Sequence, residues 1–250
     1  MAVRADATKQ WHSVVTEFIR HNRDQEFDKY GRPATPLPPR FPDTMKRFAY
    51  FITYQAISAR CCDSIWDQLV DLVEHLLLSL GADTYDAWPP GLVASIPPGE
   101  LYGRAGVGLS RSKIKAIQGL ARELASPSSP TSVALRDPTR SSSEVIRVVS
   151  SQIKGVGPFT VASFLIESGR LDIANYHDVV MRRGLMLHYE LPRVPTVAQA
   201  ARLTATWGAY KTVGTKYMFY VANRPPRMSE AECHAYELAA RVRRARRART

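Results

Sequence analysis

The sequence predicts an all-α fold. Apolar residues recur at spacings of three and four over several segments, and no segment alternates apolar and polar residues as a half-buried strand does. Hydrophobic residues make up 45% of the 250 positions, which is enough for a sizeable core in one large domain or two small lobes. No internal repeat is visible. We therefore expect helices packed on helices, joined by glycine and proline turns.

The N-terminal part divides into a short leading segment and the start of the helical body. Residues 11–20 have the pattern of an amphipathic helix, and the proline-rich stretch that follows cannot continue it, so it is predicted to be extended. We assign residues 1–43 to this segment and residues 44–228 to the main body. Residues 44–80 predict two helices with a break at 58–63.

The middle of the chain alternates helices with loops. Residues 83–99 are rich in proline and glycine and predict a loop around one short helical turn. A helix is expected from Ser110, which can cap it. Its apolar stripe consists of Ile114, Ile117, Leu120, Ala121 and Leu124. Residues 126–143 carry many serines and prolines and are predicted to be a surface connection or a boundary between lobes.

The C-terminal half predicts further helices. Residues 143–169 indicate a helix, a tight glycine turn and a second helix. Other helical patterns cover residues 179–188, 197–207, 210–221 and 229–244. We assign residues 229–250 to a C-terminal helix and an arginine-rich tail, which is typically a solvated arm.

The charge favours a polyanionic partner, either nucleic acid or an anionic membrane. The formal net charge is +11 and the sequence pI is near 9.8. Six arginines in the last ten residues contribute to this charge, and the rest of the chain keeps +5. The sequence holds no signal peptide and no apolar run of about 18 residues, so a soluble protein is expected, with no membrane association.

Three cysteines, Cys61, Cys62 and Cys233, cannot ligate a four-cysteine iron–sulfur cluster or zinc site. Reduced thiols are the expectation, which indicates an intracellular protein, in the cytoplasm, the nucleoid or a nucleus.

A glycine hairpin is the most informative local motif. In residues 153–157, IKGVG, two glycines flank one apolar residue, and Pro158 can begin the next helix. The free N–H groups at such a helix start suit a phosphate, which grips nucleic acid without reading its sequence. The same pattern also occurs as ordinary helix punctuation.

The surroundings of the hairpin resemble a known family. Residues 151–185, SQIKGVGPFTVASFLIESGRLDIANYHDVVMRRGL, resemble the helix-hairpin-helix and Gly/Pro/Asp signature of the base-excision DNA glycosylase superfamily, with the hairpin at 151–168. Three further segments resemble other family elements and occur in the family's order: FITYQAISARCCDSIW, AGVGLSRSKIKAIQGLA and WGAYK. The last of these segments is similar to an element of the 3-methyladenine DNA glycosylase II branch. The resemblance implies a two-lobed helical fold with an active-site cleft between the lobes, and double-stranded DNA bound by a monomer.

On this resemblance Asp178 is the catalytic aspartate. A carboxylate beside the deoxyribose can stabilise the positive charge that builds up as the glycosidic bond breaks, and it can orient a water molecule. The alternative is that Asp178 only caps the helix that begins at Val179, and both roles are compatible in one residue. Asp172 also matches a family position, and we expect a structural role there.

The resemblance also implies a base pocket and DNA contacts. Flat aromatic faces can stack on a flipped base, and electron-rich rings favour cationic alkylated purines, although each ring could equally be a core residue. The pocket candidates are Tyr54, Phe159, Tyr176, Trp207 and Tyr210. The candidate DNA contacts are Gln55, Ser58, Lys113, Lys154, Gly155, Gly157, Thr160 and Lys211.

Position 159 bears on the type of reaction. Bifunctional relatives carry a lysine there that forms a Schiff base, and Phe159 cannot do so, so the resemblance implies a monofunctional enzyme. No cofactor is expected. The family hairpin commonly holds Na⁺ or K⁺ through backbone carbonyls, here those of Ile153 and Val156.

Several departures from the family pattern leave other functions open. Ala56 stands where relatives carry a bulky wedge, Tyr176 and His177 alter the pocket wall, and Lys211 replaces an arginine. About 45 residues precede the first matched helix, so we expect the N-terminal β-rich domain of the larger relatives to be missing here. The alternatives are an enzyme that acts on a hypermodified thymine and a DNA-binding module without catalysis.

Overall fold

The computed structural model describes residues 13–20, 22, 43–56, 59–82, 87–103 and 108–223. Within these ranges every regular element is a helix and no strand is present, which confirms the all-α prediction. No helix in the described part of the chain has the length and apolar character needed to cross a membrane. The elements are α1 (residues 13–20), α2 (Thr44–Tyr54), α3 (Ala59–Ser79), α4 (Pro90–Ser95), α5 (Pro98–Gly103), α6 (Arg111–Ala125), α7 (Pro130–Arg136), α8 (Ser142–Gln152), α9 (Pro158–Glu167), α10 (Val179–His188), α11 (Val197–Leu203), a 3₁₀-helix (Ala205–Tyr210) and α12 (Lys211–Asn223).

The buried apolar side chains form two separate clusters. The first cluster is built by α2 through α9, and in it the rings of Phe48 and Phe164 stack with centroids 4.4 Å apart. The second cluster is built by α1, α10, α11, the 3₁₀-helix and α12. Hydrophobic burial is the main stabilising contribution in each cluster.

Two glycines allow close packing in the second cluster, one where α10 crosses α12 and one where Trp207 lies against α12. A Cβ atom on Gly184 of α10 would overlap the backbone of Met218 in α12. A Cβ atom on Gly214 of α12 would overlap the indole ring of Trp207. The two positions therefore require glycine for packing, independently of backbone dihedral angles.

The loop between α9 and α10 joins the two clusters. Asp172 in this loop accepts hydrogen bonds from the backbone N–H and the hydroxyl of Ser142, at 3.1 and 2.6 Å. The hydroxyl of Thr212 in α12 donates to the carbonyl of Arg170 at 2.6 Å. The structural role expected for Asp172 is confirmed, because it caps the start of α8 from this loop.

The structure corrects four boundaries. Residues 58–63 were expected near the break between the first two helices of the main body, but α2 ends at Tyr54 and α3 already begins at Ala59. Residues 83–99 were predicted to hold one helical turn, but α4 and the start of α5 lie there, each beginning at a proline. The predicted connection 126–143 contains α7, where the Ser129 hydroxyl accepts the N–H of Ser132 at 3.0 Å. The predicted helix 197–207 ends at Leu203.

The remaining boundary predictions have mixed outcomes. The helix expected from Ser110 is present, with Ser110 as its N-cap. The predicted helix 229–244 and the tail lie outside the described residues. The division at residues 43 and 228 stays a prediction.

We expect Gly184→Ala to lower the free energy of unfolding by about 3 kcal/mol or more, because the added methyl group overlaps backbone that cannot move alone. Gly91→Ala in α4 is the control, since a Cβ atom there meets nothing within 4 Å. The control should be neutral or stabilising by up to about 1 kcal/mol. Urea titrations would measure both, and equal stabilities would contradict the close crossing.

Candidate active site

Asp178 lies at the start of α10, where its carboxylate caps the helix. Its Oδ1 accepts the N–H of Val180 at 2.7 Å, and its own N–H donates to the carbonyl of Asn175 at 3.0 Å. The capping interpretation is therefore correct. It leaves a half-buried carboxylate in a fixed position, as catalysis at this residue would require.

Burial raises the pKa of Asp178 above that of an ordinary aspartate. The backbone N–H groups of Val180 and Met181 and the guanidinium of Arg182 lower it, but they do not offset the burial. The carboxyl group consequently keeps its proton to a higher pH than an exposed aspartate. Raised carboxyl pKa values are common at functional sites, where desolvation strengthens electrostatic interactions.

Tyr54 brings the first cluster close to Asp178. It is the last residue of α2 and half-buried, and its ring centroid lies 6.2 Å from that of Tyr50. Burial raises the pKa of the Tyr54 hydroxyl, and the negative charge of Asp178 raises it further. The two side chains are thus within electrostatic range of each other, although they come from elements of different clusters.

The predicted hairpin is present between α8 and α9. Gly155 has φ +90°, and a Cβ atom there would lie 3.3 Å from that of Ala116. Gly157 is the N-cap of α9 and supplies no capping side chain. Lys154 is exposed on the turn. Glycine is required at position 155 both for the left-handed backbone and for the close approach of α6.

Gln55 connects the end of α2 to the hairpin. Its Nε2 donates to the carbonyl of Gly155 at 3.1 Å and to the hydroxyl of Thr160. Thr160 is 1% exposed, so its side chain supports the hairpin from inside and is not the surface DNA contact that was predicted. Ala56, at the family's wedge position, is exposed with φ +55°.

The other predicted DNA contacts have different environments. The ammonium group of Lys113 donates to the carbonyl of Thr53 at 2.7 Å, and burial lowers its pKa, so it satisfies the end of α2. Lys211 is half-buried at the start of α12. Ser58 lies outside the described residues.

Comparison with solved structures identifies the fold. The 3-methyladenine DNA glycosylase of Schizosaccharomyces pombe, in complex with abasic DNA, superposes with a TM-score of 0.67 at 17% identity, over 85% of this chain and 100% of that one. The DNA-3-methyladenine glycosidase of Bacillus halodurans gives 0.63 at 20% identity, over 84% and 89%. The 3-methyladenine DNA glycosylase of Archaeoglobus fulgidus gives 0.61 at 15% identity, over 86% and 69%. This chain has the helix-hairpin-helix glycosylase fold. No family profile and no curated protein sequence matches it.

Within this glycosylase fold, Trp207 is a core residue. It is fully buried in the second cluster, where Phe18 meets its ring edge-on at 6.0 Å and Gly214 lies against its face. The indole N–H also donates a hydrogen bond to the hydroxyl of Tyr189. The prediction that Trp207 stacks on a base is wrong, because no face of the ring is exposed.

The other aromatic candidates remain accessible. Phe159 is half-buried in the first turn of α9. Tyr176 is half-buried and shares a 2.7 Å hydroxyl–hydroxyl bond with Thr204. Tyr210 lines a large cavity that Asp178 does not line. Tyr54, Phe159 and Tyr176 therefore stay predictions for a pocket beside Asp178, whereas Tyr210 is directed to a different space.

A large cavity lies away from Asp178, which is not among its lining residues. It measures about 1390 Å³ and lies at the C-terminal end of α9, with Arg47, Arg140 and Arg170 in its walls. Arg170 donates to the carbonyls of Arg140 and Asp137, and Arg47 donates to the hydroxyl of Ser168 at 3.1 Å. Because these side chains form internal bonds, we interpret their role here as structural and place the candidate chemistry at Asp178.

The monovalent ion predicted at the hairpin would be bound by backbone carbonyl oxygens. The carbonyl of Ile153 accepts the N–H of Val156 at 3.0 Å, and a carbonyl oxygen retains a second lone pair for a cation. Among the described residues no group of three or more His, Cys, Asp or Glu side chains could hold a metal ion. Binding of Na⁺ or K⁺ by Ile153 and Val156 stays a prediction.

Sequence reasoning missed Asn175, which is buried between the hairpin and Asp178. The sequence did contain a signal for this residue. Asparagine favours the first position of a four-residue turn, and Asp178 would occupy the last position of a turn that begins at Asn175.

We expect Asp178→Asn to be more stable than the wild type at neutral pH. Because the folded-state pKa is raised, the folded protein binds more protons than the unfolded chain between the ordinary and the raised pKa, so wild-type stability falls as pH rises through that window. Asparagine keeps the cap without the buried charge. The difference should vanish at pH values below the ordinary aspartate pKa.

Asp178→Ala provides the contrast, since it removes the cap and should cost about 1 kcal/mol relative to Asp178→Asn. Denaturant titrations from pH 3 to 8 would measure both variants. A stabilisation by Asp178→Asn that grows towards acid would contradict the raised pKa.

Proposed function

We propose that this chain is a monofunctional DNA glycosylase of base excision repair, which removes an alkylated purine by hydrolysing its N-glycosidic bond. The observation that carries the proposal is the half-buried, capped carboxylate of Asp178 beside the hairpin of a glycosylase fold. The names of the S. pombe, B. halodurans and A. fulgidus proteins support the substrate class.

Asp178 would act on the sugar. As the glycosidic bond breaks, positive charge develops on the deoxyribose, and an ionised carboxylate at C1′ stabilises it and orients water for attack. The helix N–H groups that bind Oδ1 favour the ionised form, while burial limits its solvation. Activity should therefore be lost as acid protonates Asp178.

The hairpin would hold the DNA backbone. The first turn of α9 has no side-chain cap. Pro158 has no N–H and the N–H of Thr160 donates to the carbonyl of Gly157, so the N–H of Phe159 would bind a phosphate oxygen, and exposed Lys154 adds a positive charge. These contacts read no sequence, as an enzyme that searches duplex DNA for damage requires. We propose that the protein binds double-stranded DNA as a monomer.

The proposed pocket and products are based on the aromatic side chains at positions 54 and 159. Tyr54 and Phe159 supply aromatic faces for a flipped base, and cation–π attraction would favour a positively charged alkylated purine. Phe159 cannot form a Schiff base, so the product would be an intact strand with an abasic site.

The decisive assay is single-turnover cleavage of duplexes that contain 3-methyladenine, 7-methylguanine, hypoxanthine, uracil or 8-oxoguanine. We expect strand breaks only after alkali, and a rate lowered by about 10²- to 10³-fold in Asp178→Asn. Asp43→Asn is the matched control, because Asp43 caps α2 in the same way and lies away from Asp178 in the chain and in the fold.

Each other result rejects a specific part of the proposal. Breaks without alkali would reject the monofunctional mechanism, and an unchanged rate in Asp178→Asn would reject the carboxylate's role. No release of any base, with DNA binding intact, would favour a hypermodified thymine as substrate or a DNA-binding module.

We expect the affinity for undamaged duplex to fall steeply with salt, since phosphate contacts release counterions. Lys154→Ala should reduce the slope of log K against log[KCl] by about 1. Arg122→Ala, which removes an exposed charge near the far end of α6, should leave the slope unchanged. Fluorescence anisotropy at several KCl concentrations would measure the slopes, and a salt-independent affinity would contradict the proposed interface.

A further inference from the structure

We propose that Asn175 is a positioning residue for Asp178: its buried amide fixes the turn that carries the carboxylate to the first turn of the hairpin helix α9. The inference rests on the proposed function and adds a residue to its machinery. In this proposal the Asn175 side chain fixes the position of the Asp178 carboxylate relative to the hairpin that binds DNA.

The first link runs from Asn175 to α9. Asn175 is 1% exposed, and its Nδ2 donates to the carbonyl of Phe159 at 3.1 Å and to the hydroxyl of Ser163 at 2.9 Å. Both acceptors belong to α9, within two turns of the hairpin. The loop is thereby attached to the helix whose N-terminus is proposed to bind phosphate.

The second link runs from Asn175 to Asp178. The carbonyl of Asn175 accepts the N–H of Asp178 at 3.0 Å, which closes a four-residue turn with Tyr176 and His177 in the middle. A shift of Asn175 would therefore move the backbone that bears the carboxylate. Small displacements of a catalytic group cost large factors in rate.

The chemistry at position 175 requires an amide. The carbonyl of Phe159 needs an N–H or O–H donor, so the orientation of the Asn175 side chain is determined by its partner. The opposite atom, Oδ1, is buried without a partner. An ionised aspartate would place negative charge against the Phe159 carbonyl, and only its protonated form could donate there.

Tyr176 anchors the same turn on the other side. Its hydroxyl bonds that of Thr204, which in turn donates to the carbonyl of Ala200 at 3.0 Å in α11. The turn is thus held by the first cluster through Asn175 and by the second cluster through Tyr176. Neither bond uses the carboxylate of Asp178, which leaves that group available.

Asn22 offers a matched control in the same protein. It is 4% exposed, its Nδ2 donates to the carbonyl of Phe18 at 3.0 Å, and its Oδ1 is also buried without a partner. Asn22→Asp therefore makes the same chemical change at similar burial without a link to Asp178.

The test compares Asn175→Asp, Asn22→Asp and the wild type in single-turnover cleavage from pH 5 to 8, on the base that the wild type releases fastest. At pH 8 we expect Asn175→Asp to be slower by about 100-fold, with its dissociation constant for undamaged duplex within about twofold of the wild type. Asn22→Asp should keep the rate within about threefold.

The pH dependence separates positioning from a general structural defect. The ratio of the Asn175→Asp rate to the wild-type rate should rise as pH falls, because the protonated carboxyl can again donate to Phe159. The titratable and charged groups around the turn, Asp172, His177, Asp178 and Arg182, are present in both proteins, so a change in the ratio reports the introduced carboxyl group. A ratio that falls towards acid would instead indicate a new charge acting on Asp178, and it would overturn the proposal.

Ser163→Ala keeps the inference testable if Asn175→Asp does not fold. It removes one acceptor of the Asn175 amide and should lower the rate by about tenfold with duplex affinity unchanged. Full activity in both Asn175→Asp and Ser163→Ala would overturn the inference but not the proposed function. Equal losses in Asn175→Asp and Asn22→Asp would do the same. A wild type that releases no base would reject the proposed function and the inference with it.

Discussion

The loop between α9 and α10 is the constraint on which the site depends, because it must hold a charged group where two apolar clusters meet. Its polar backbone is bonded along its length. Thr212 donates through its N–H to the carbonyl of Leu171 at 3.0 Å, and through its hydroxyl to the carbonyls of Arg170 and Ile173. Asp172 bonds α8, and Asn175 bonds α9. Each such bond contributes about 1 kcal/mol, but an unpaired buried group would cost more, so these bonds favour the observed arrangement of the loop.

The carboxylate of Asp178 is held between two opposing effects. Burial favours its neutral form, whereas the N–H groups at the start of α10 and the charge of Arg182 favour its ionised form. An exposed aspartate would remain ionised to lower pH, but water would screen its interaction with a developing cation. A deeply buried, uncapped one would remain protonated near neutral pH. The helix start therefore lets a partly desolvated carboxylate carry charge, which links its capping role to its proposed chemistry.

Sequence periodicity was sufficient for the all-α class and for helices with a polar cap, such as the one beginning after Ser110. It was insufficient where proline begins a short helix, as at Pro90 and Pro130, since a proline cluster has the same composition in a loop. The motif around Asp178 indicated the candidate site, but it did not indicate the buried Asn175 that bonds the same turn to α9. Trp207 was assigned to the pocket because aromatic residues suit both stacking and packing. The deciding feature is Gly214, whose missing side chain makes room for the indole, and no local pattern connects those two positions.

The backbone and the side chain of Phe159 have different roles: the carbonyl helps to position the turn before Asp178, and the side chain bears on the proposed reaction. Its backbone carbonyl receives the Asn175 amide, and this contact is the same for any side chain at that position. The half-buried ring of Phe159 is therefore not needed to hold the turn. In the proposed reaction, a lysine at position 159 could open a lyase route without displacing Asp178, whereas the phenylalanine would close that route and offer a stacking face. The proposed function thus divides the roles of this residue: its carbonyl would fix the geometry of the turn, and its side chain would select between the monofunctional and the bifunctional reaction.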